Sequence, residues 1–447
     1  MSAAGAWRLL HVTPHLGGGV GQALLALAEG AALLGTRAPR RTVLCLEAPQ
    51  RTGAVDRLRE RGVTVRVLSD TGMLGSLARA HDLVQFEVWN HPALFAAWHE
   101  LHEVPLRMVF WCHVSGTSFP RLPPALWQQP FPVAMTAPCS LRAADAALRD
   151  AASRGQVQVI SSAAGFERWP DVRRRAATPR RPRYGYLGSL NLAKMHPDYV
   201  DWLAAARQPG LSVEVLGEEV DPGSVQQRCL AWGQPGLLRV AGYCDDVRAA
   251  LNRWDAMIYL LNPHHYGTAE LALLEAMASG VAPIVCDNPC ERDIVENGIT
   301  GCVVRDARQL AATLGFAEDN PAALRQLGRH ASQWVRERFT LRRQVRAFER
   351  LYGQALALPR QAIDWRALNG PQPWQWFLST LPEGSNPPFV PGQRPRLPSG
   401  HARYAHLERT KGSVRHFASH FPHDPQLACW AAALEHAGVP ERAAVAC

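Results

Sequence analysis

Along residues 1–165, short runs of apolar and β-branched residues alternate with stretches whose apolar positions recur at helical spacing. Strands are predicted at residues 7–13, 42–47, 63–69, 82–89, 106–114, 133–137 and 157–161, and helices at 20–34 and 55–61. Several of these strands contain continuous apolar stretches rather than a strict alternation. That is the pattern of strands covered on both faces of a parallel sheet. Strand–helix repetition of this kind predicts a doubly wound α/β domain.

The alternation stops over residues 166–183, where Pro170, Pro179, Pro182 and a run of arginines read as an interdomain linker. It restarts with strands predicted at 184–187, 212–216, 238–240, 256–261, 281–286 and 301–304, and helices at 197–207, 247–254, 269–278, 308–316 and 321–339. Residues 184–340 are therefore expected to form a second α/β domain, and 341–358 a helix crossing back to the first. From 359 to 398 there are nine prolines in forty residues, a composition that argues against a regular core element. Trp374, Trp376 and Phe377 nevertheless suggest that this stretch packs on something. A helical pattern returns over 401–447, and 359–447 is read as one Pro-rich, partly helical extension.

Composition narrows the class. Hydrophobic residues make up 47% and charged residues 19%, which is globular rather than disordered. No apolar run reaches the roughly 18 residues needed to cross a membrane. No basic segment followed by an apolar one opens the chain, so a cytoplasmic location is expected. The net charge of +9 comes from arginine, since Lys194 and Lys411 are the two lysines. Only a local concentration of charge is informative, and the densest is Arg173, Arg174, Arg175, Arg180, Arg181 and Arg183. It reads as a solvated linker or as a peripheral contact with an anionic membrane. No nucleic-acid-binding motif accompanies it, so nucleic acid is not expected as a partner. The ten cysteines form no CxxC and no zinc-finger spacing, and read as small hydrophobes in a reducing compartment.

Four runs carry candidate chemistry. Residues 13–22 join the first strand to the first helix and contain Gly17, Gly18, Gly19 and Gly21. Such a loop lets backbone approach a ligand and presents helix N–H groups to an anion; it also suits a tight strand–helix turn. Gln22 stands where a GxGxxG fingerprint has its third glycine, and Glu47 imitates the ribose-binding acid of a dinucleotide fold. Residues 186–194 follow the first strand of the second domain and end on Lys194, whose compact ammonium suits a phosphate. In residues 264–287, Thr268 can cap a helix with Glu270 in its first turn. Glu275 lies among apolar neighbours and needs donors, either an arginine elsewhere or the hydroxyls of a ligand such as a ribose. The turn at Tyr266 and Gly267 could offer N–H groups to a diphosphate. Finally, His113 ends a strand and either faces a cleft or is satisfied locally.

Taken in order, these runs resemble the glycosyltransferase family 4 group, with its GT-B architecture of two facing Rossmann-like domains. The resemblance covers residues 7–350 and is most specific over 267–304, which is similar to the family's donor-binding helix, the strand after it and its Glu-Asn-Gly-Ile-Thr-Gly turn. The run 240–247 agrees as well. The resemblance implies retaining transfer from a nucleotide diphosphate sugar, used as substrate rather than cofactor, without a bound metal. The chain contains no Asp-x-Asp, in keeping with that. Gly18 and Gly19 would approach the donor phosphate, and Lys194 corresponds to the phosphate-binding lysine. Glu275 matches the second glutamate of the Glu-x7-Glu motif, which holds the ribose, and His113 the cleft histidine near the transferred sugar. Tyr266, Gly267, Thr268, Ala269 and Glu270 form the same donor-binding turn. Ser189 stands in place of a phosphate-binding arginine and Gly267 in place of the first glutamate. The implied partners are a nucleotide-sugar donor and a glycan, lipid or protein acceptor. A GT-B epimerase, a dehydrogenase and a sugar-nucleotide-binding protein without turnover are the competing readings.

Overall fold

The computed structural model describes residues 7–35, 38–70, 72–142, 145–170, 181–218, 223–244, 246–268, 270–382, 384 and 387–435. Seven strands form the first sheet: β1 (Arg8–Thr13), β2 (Arg40–Cys45), β3 (Thr64–Val67), β4 (Leu83–Val88), β5 (Met108–Cys112), β6 (Val133–Met135) and β7 (Val157–Val159). They are all parallel, in the order β3-β2-β1-β4-β5-β6-β7. A second parallel sheet follows: β8 (Tyr184–Leu187), β9 (Val213–Leu216), β10 (Leu238–Gly242), β11 (Ala256–Tyr259), β12 (Ala282–Cys286) and β13 (Cys302–Val304), in the order β10-β9-β8-β11-β12-β13. The most deeply buried strands, β4, β5, β11 and β12, expose no residue, and β5, β11 and β12 are also continuously apolar. This is GT-B architecture.

In each sheet the strand order reverses once, between β1 and β4 and between β8 and β11. Loops leaving the carboxyl ends of two such neighbours run in opposite directions and open a crevice between them. The glycine loop leaves β1, and Asn90 and His91 follow β4. Ser189 and Lys194 follow β8, and residues 262–270 follow β11. The two crevices face one another. Ser115 N–H donates to the Tyr266 carbonyl (3.1 Å), the Thr136 and Thr268 hydroxyls lie 2.7 Å apart, and the Cys139 and Cys290 thiols meet at 2.7 Å.

Helices unmarked by the sequence pattern occur at Met73–Ala80, Pro92–Glu100, Ala146–Ser153 and Ser224–Ala231. Pro92–Glu100 was hidden because all but one of its first seven residues are buried, which erases the amphipathic stripe. The helix Leu341–Ala357 lies on the first sheet. Gln344 donates to the Ser161 carbonyl (2.9 Å), Tyr352 donates to Gln85 (2.7 Å), and Phe348 packs edge-on against Trp111.

The expectation that residues 359–398 hold no core element is overturned. Short helices at Trp365–Asn369 and Pro373–Leu378 place Trp365, Trp376 and Phe377 in the first lobe's core, joined by Phe389, Phe417 and Trp430. Proline is tolerated because Pro373 opens its helix, where the missing N–H would have no intrahelical partner anyway. Among the arginines of the 166–183 cluster, Arg173, Arg174, Arg175 and Arg180 lie outside the described residues. Arg181 donates to the Pro209 carbonyl (2.6 Å) and faces Glu318. Among the described residues no helix is long and apolar enough to cross a membrane.

Candidate active site

Lys194 is held before it is used. Its N–H bonds the Asn191 side chain (2.8 Å), and its carbonyl accepts from the Asn262 N–H (2.8 Å), so the loop after β8 is tied to the loop after β11. The ammonium stands 3.5 Å from Glu270 Oε2. The same oxygen accepts from the Tyr259 hydroxyl at 2.6 Å. Burial alone would raise the Glu270 pKa, but Lys194, His265 and Tyr259 outweigh it and hold the carboxyl below its usual range. Glu270 is therefore an ionised, buried partner of Lys194.

Sequence pattern placed Glu270 inside a helix capped by Thr268. The structure corrects both. The helix is Leu271–Ala278, its N-cap is Glu270, and the Thr268 hydroxyl is turned to Thr136 of the other lobe. Glu270 adopts φ 42°, a left-handed conformation uncommon for a non-glycine residue and a mark of local strain. That backbone folds its carboxylate back over Gly267. A Cβ on Gly267 would sit 1.9 Å from Glu270 Oε1 and 2.7 Å from His265 Nδ1. Position 267 thus has no room for a side chain because Glu270 already fills that space. The Gly267 N–H, expected to be available for a phosphate, is instead donated to His265 Nδ1 (3.0 Å). Ala269 lies outside the described residues.

Glu275 is half-buried on the helix Leu271–Ala278, and among the described residues its carboxylate has no hydrogen-bond or ion-pair partner. Burial pushes its pKa up to about 7, with the charge of Arg248 opposing. Of the two sources of donors considered, an arginine at contact distance is absent among the described residues. Hydroxyls from a ligand would favour the ionised form and lower this pKa. Binding of a ligand that places ribose hydroxyls on Glu275 would therefore release protons near pH 7 and tighten as pH rises through about 7. Calorimetry in buffers of different ionisation enthalpy would count those protons, and the release should vanish in Glu275→Gln.

Ser189 is exposed, and its carbonyl accepts from the Tyr186 hydroxyl (3.2 Å). Tyr266 is half-buried with its carbonyl on Ser115. On the first lobe, the helix Gly18–Ala31 begins at the exposed glycine loop, where Gly18 has φ 59°. A Cβ on Gly18 or Gly19 would meet no protein atom within 4 Å, so these two face open space, whereas one on Gly21 would strike the Leu16 carbonyl at 2.4 Å. Gly21 serves the turn; Gly18 and Gly19 leave room for something else.

His113 is not satisfied by local backbone. Its Nε2 bonds Glu87 Oε2 at 2.8 Å, and Glu87 Oε1 also meets His11 Nδ1 (3.0 Å) and Gln85 (2.8 Å). His11 Nε2 in turn faces Arg41 (3.0 Å). Burial pushes Glu87 up, but the hydrogen bonds from the two histidines outweigh it and depress its pKa. Sequence reading missed Glu87, yet a signal existed. Gln85 and Glu87 are two polar residues on one face of an otherwise apolar strand. Glu47, the dinucleotide-like acid, is engaged by His91 (3.5 Å) and His420 (3.4 Å), so the dehydrogenase reading loses its ribose ligand.

Residues 181–319, within the second lobe, match the family model described as Glycosyl transferases group 1. Glycogen synthase of Mycobacterium tuberculosis is 28% identical over 229 residues, 48% of this chain and 53% of that protein. The chain therefore spans about half the length of the curated relatives it matches. Among solved structures, Anabaena HepE in complex with UDP superposes with TM-score 0.62 at 14% identity, over 77% of this chain and 99% of HepE. A glycosyltransferase from Rickettsia africae gives TM-score 0.62 at 12% identity, over 79% and 99%. Sucrose-phosphate synthase from Thermosynechococcus elongatus gives 0.54 at 14%, over 78% and 99%. The fold is that of the GT-B nucleotide-sugar glycosyltransferases.

Proposed function

We propose that the protein is a glycosyltransferase that moves a sugar from a nucleoside diphosphate sugar to an acceptor hydroxyl with retention of configuration and without a metal ion. The observation that carries this reading is the pairing, at one switch point, of a preorganised lysine with a half-buried carboxylate that lacks protein donors. Anabaena HepE, which shares the fold, has been seen with UDP and with UDP-glucose.

Departure of the diphosphate leaves positive charge on the sugar and adds negative charge to the leaving phosphate. Lys194, the amides of the loop at Gly18 and Gly19, and the amino end of the helix Leu271–Ala278 stabilise that charge without reorganising, an effect for which one donor is typically worth about 3–4 kcal/mol. Glu275 accepts from the ribose hydroxyls and fixes the nucleoside. Glu270 keeps Lys194 aimed, and occupies the space beside Gly267. Glu87 fixes the orientation of His113 through Nε2, leaving Nδ1 for the transferred sugar. The acceptor attacks from the face the diphosphate leaves, with that phosphate taking its proton.

The test is a panel of nucleotide sugars offered with simple glycoside, lipid and peptide acceptors, scored by release of free nucleoside diphosphate. Release dependent on one donor is the expected result. Saturable binding with no release from any donor would reduce the protein to a binding module.

A further inference from the structure

The chain's two lysines come from distant segments, and the fold brings both to one cleft. Lys411 belongs to the C-terminal extension, which crosses from lobe to lobe. On the second lobe, Asn262 donates to the His401 carbonyl (3.1 Å) and His401 Nε2 faces Asp198 (3.2 Å). On the first, His416 packs edge-on against His91 with ring centroids 4.4 Å apart, and His420 faces Glu47 at 3.4 Å. Between these anchors the extension passes over the carboxyl ends of both sheets.

The turn that carries Lys411 is tightly specified. Lys411 has φ 56°, in the region that favours glycine, and Asn90 opposite it has φ 62°. A Cβ on Gly412 would lie 2.7 Å from the Asn90 carbonyl oxygen, so this turn fits the end of β4 only with a glycine there. Gly412 N–H donates to His416 Nδ1 (3.2 Å), and Ser413 caps the helix Val414–His420 by accepting from the His416 N–H (3.1 Å). Backbone held in an unfavourable conformation by several independent contacts points to a side chain that has to be in one place.

The Lys411 side chain is exposed on this turn. Desolvation by the surrounding protein and the charge of Lys194 lower its pKa, against the opposing pull of Glu408. His15, beside the glycine loop, is likewise pushed down by burial and then by the charge of Lys411. One carboxylate, Glu270, pairs with Lys194. Two ammonium groups within each other's field repel, and a ligand with adjacent negative charges turns that repulsion into attraction.

We propose that Lys411, delivered by the C-terminal extension, is a second diphosphate-binding cation of the cleft, acting opposite Lys194. The proposal rests on the donor-site reading above. It gives the extension a direct part in recognising a nucleoside diphosphate, and the charge it supplies comes from outside the two Rossmann-like lobes.

The test is calorimetric binding of UDP, ADP, GDP and inorganic pyrophosphate, together with the nucleoside of the tightest binder. It uses the full chain and its Lys194→Ala, Lys411→Ala, Lys411→Gln and Lys411→Arg variants, each checked for an unchanged melt. Loss of one charged hydrogen bond corresponds to about 10- to 100-fold weaker binding. Lys411→Ala or Lys411→Gln should weaken the preferred nucleoside diphosphate and pyrophosphate by that factor, leave the nucleoside within about twofold, and be largely rescued in Lys411→Arg. Loss in Lys194→Ala with no loss in either neutral Lys411 variant would overturn this proposal and leave the donor site standing. Equal weakening of nucleoside and diphosphate would also overturn it, since that is what a displaced extension would produce. If the wild-type protein binds none of the four probes, the donor site falls as well.

Discussion

Lys194→Ala and Glu275→Ala will each reduce sugar transfer at least about 100-fold, and for different reasons. On the proposed mechanism Lys194 acts where charge develops, so its loss should appear in kcat and kcat/KM together. On the same mechanism Glu275 holds the nucleoside in ground state and transition state alike, so its loss should fall more heavily on KM. Both effects have to be separated from damage to the fold. Removing Lys194 leaves Glu270 buried without its cation, an arrangement that destabilises proteins. The double variant Lys194→Ala/Glu270→Gln should therefore regain thermal stability while staying inactive. Glu275 is the opposite case. Its carboxyl is raised above the unfolded value, so the folded state prefers the proton, and ionisation takes stability away as pH rises from the ordinary carboxyl range to about 7, levelling off above it. Glu275→Gln should melt no lower than wild type at pH 8 and still lose donor affinity. Near wild-type turnover in both alanine variants would end the proposed mechanism.

The second large effect concerns the extension. Trp365→Ala should destabilise the first lobe by about 3–5 kcal/mol, the range for removing a fully buried aromatic side chain. Trp365 is inaccessible to solvent, stacks on Trp98 with ring centroids 5.0 Å apart and meets Phe110 edge-on at 5.8 Å. Its Nε1 is buried without a partner, so Trp365→Phe, which removes that unmatched N–H with less volume, should cost much less. The two lobes have separate main cores, with the aromatics of the extension in the first and none in the second. Urea denaturation should accordingly show an early transition for the first lobe and a second-lobe transition near its wild-type midpoint. A single cooperative transition, shifted as a whole, would mean that the lobes unfold together and that the extension stabilises both.

What the amino-acid pattern determined by itself was local. Continuous apolar runs named the buried strands β5, β11 and β12 to within a residue or two, because a strand covered on both faces needs apolar side chains whatever lies beyond it. Glycines at the end of β1 and the lysine after β8 marked the crevice loops, because backbone approach and a compact cation are properties of the residue itself. Only the tertiary structure decided the pairings. Glu270 meets Lys194, and Glu87 meets both His11 and His113, because strands distant in sequence are neighbours in the sheet. A proline-rich tail became core for a similar reason. Its short helices follow no amphipathic period that can be read in isolation, and the surface that buries their aromatics is built by residues more than two hundred positions earlier. Hydrophobic periodicity records whether a residue is buried. Which distant segment covers it is set by how the two sheets and the returning chain pack together.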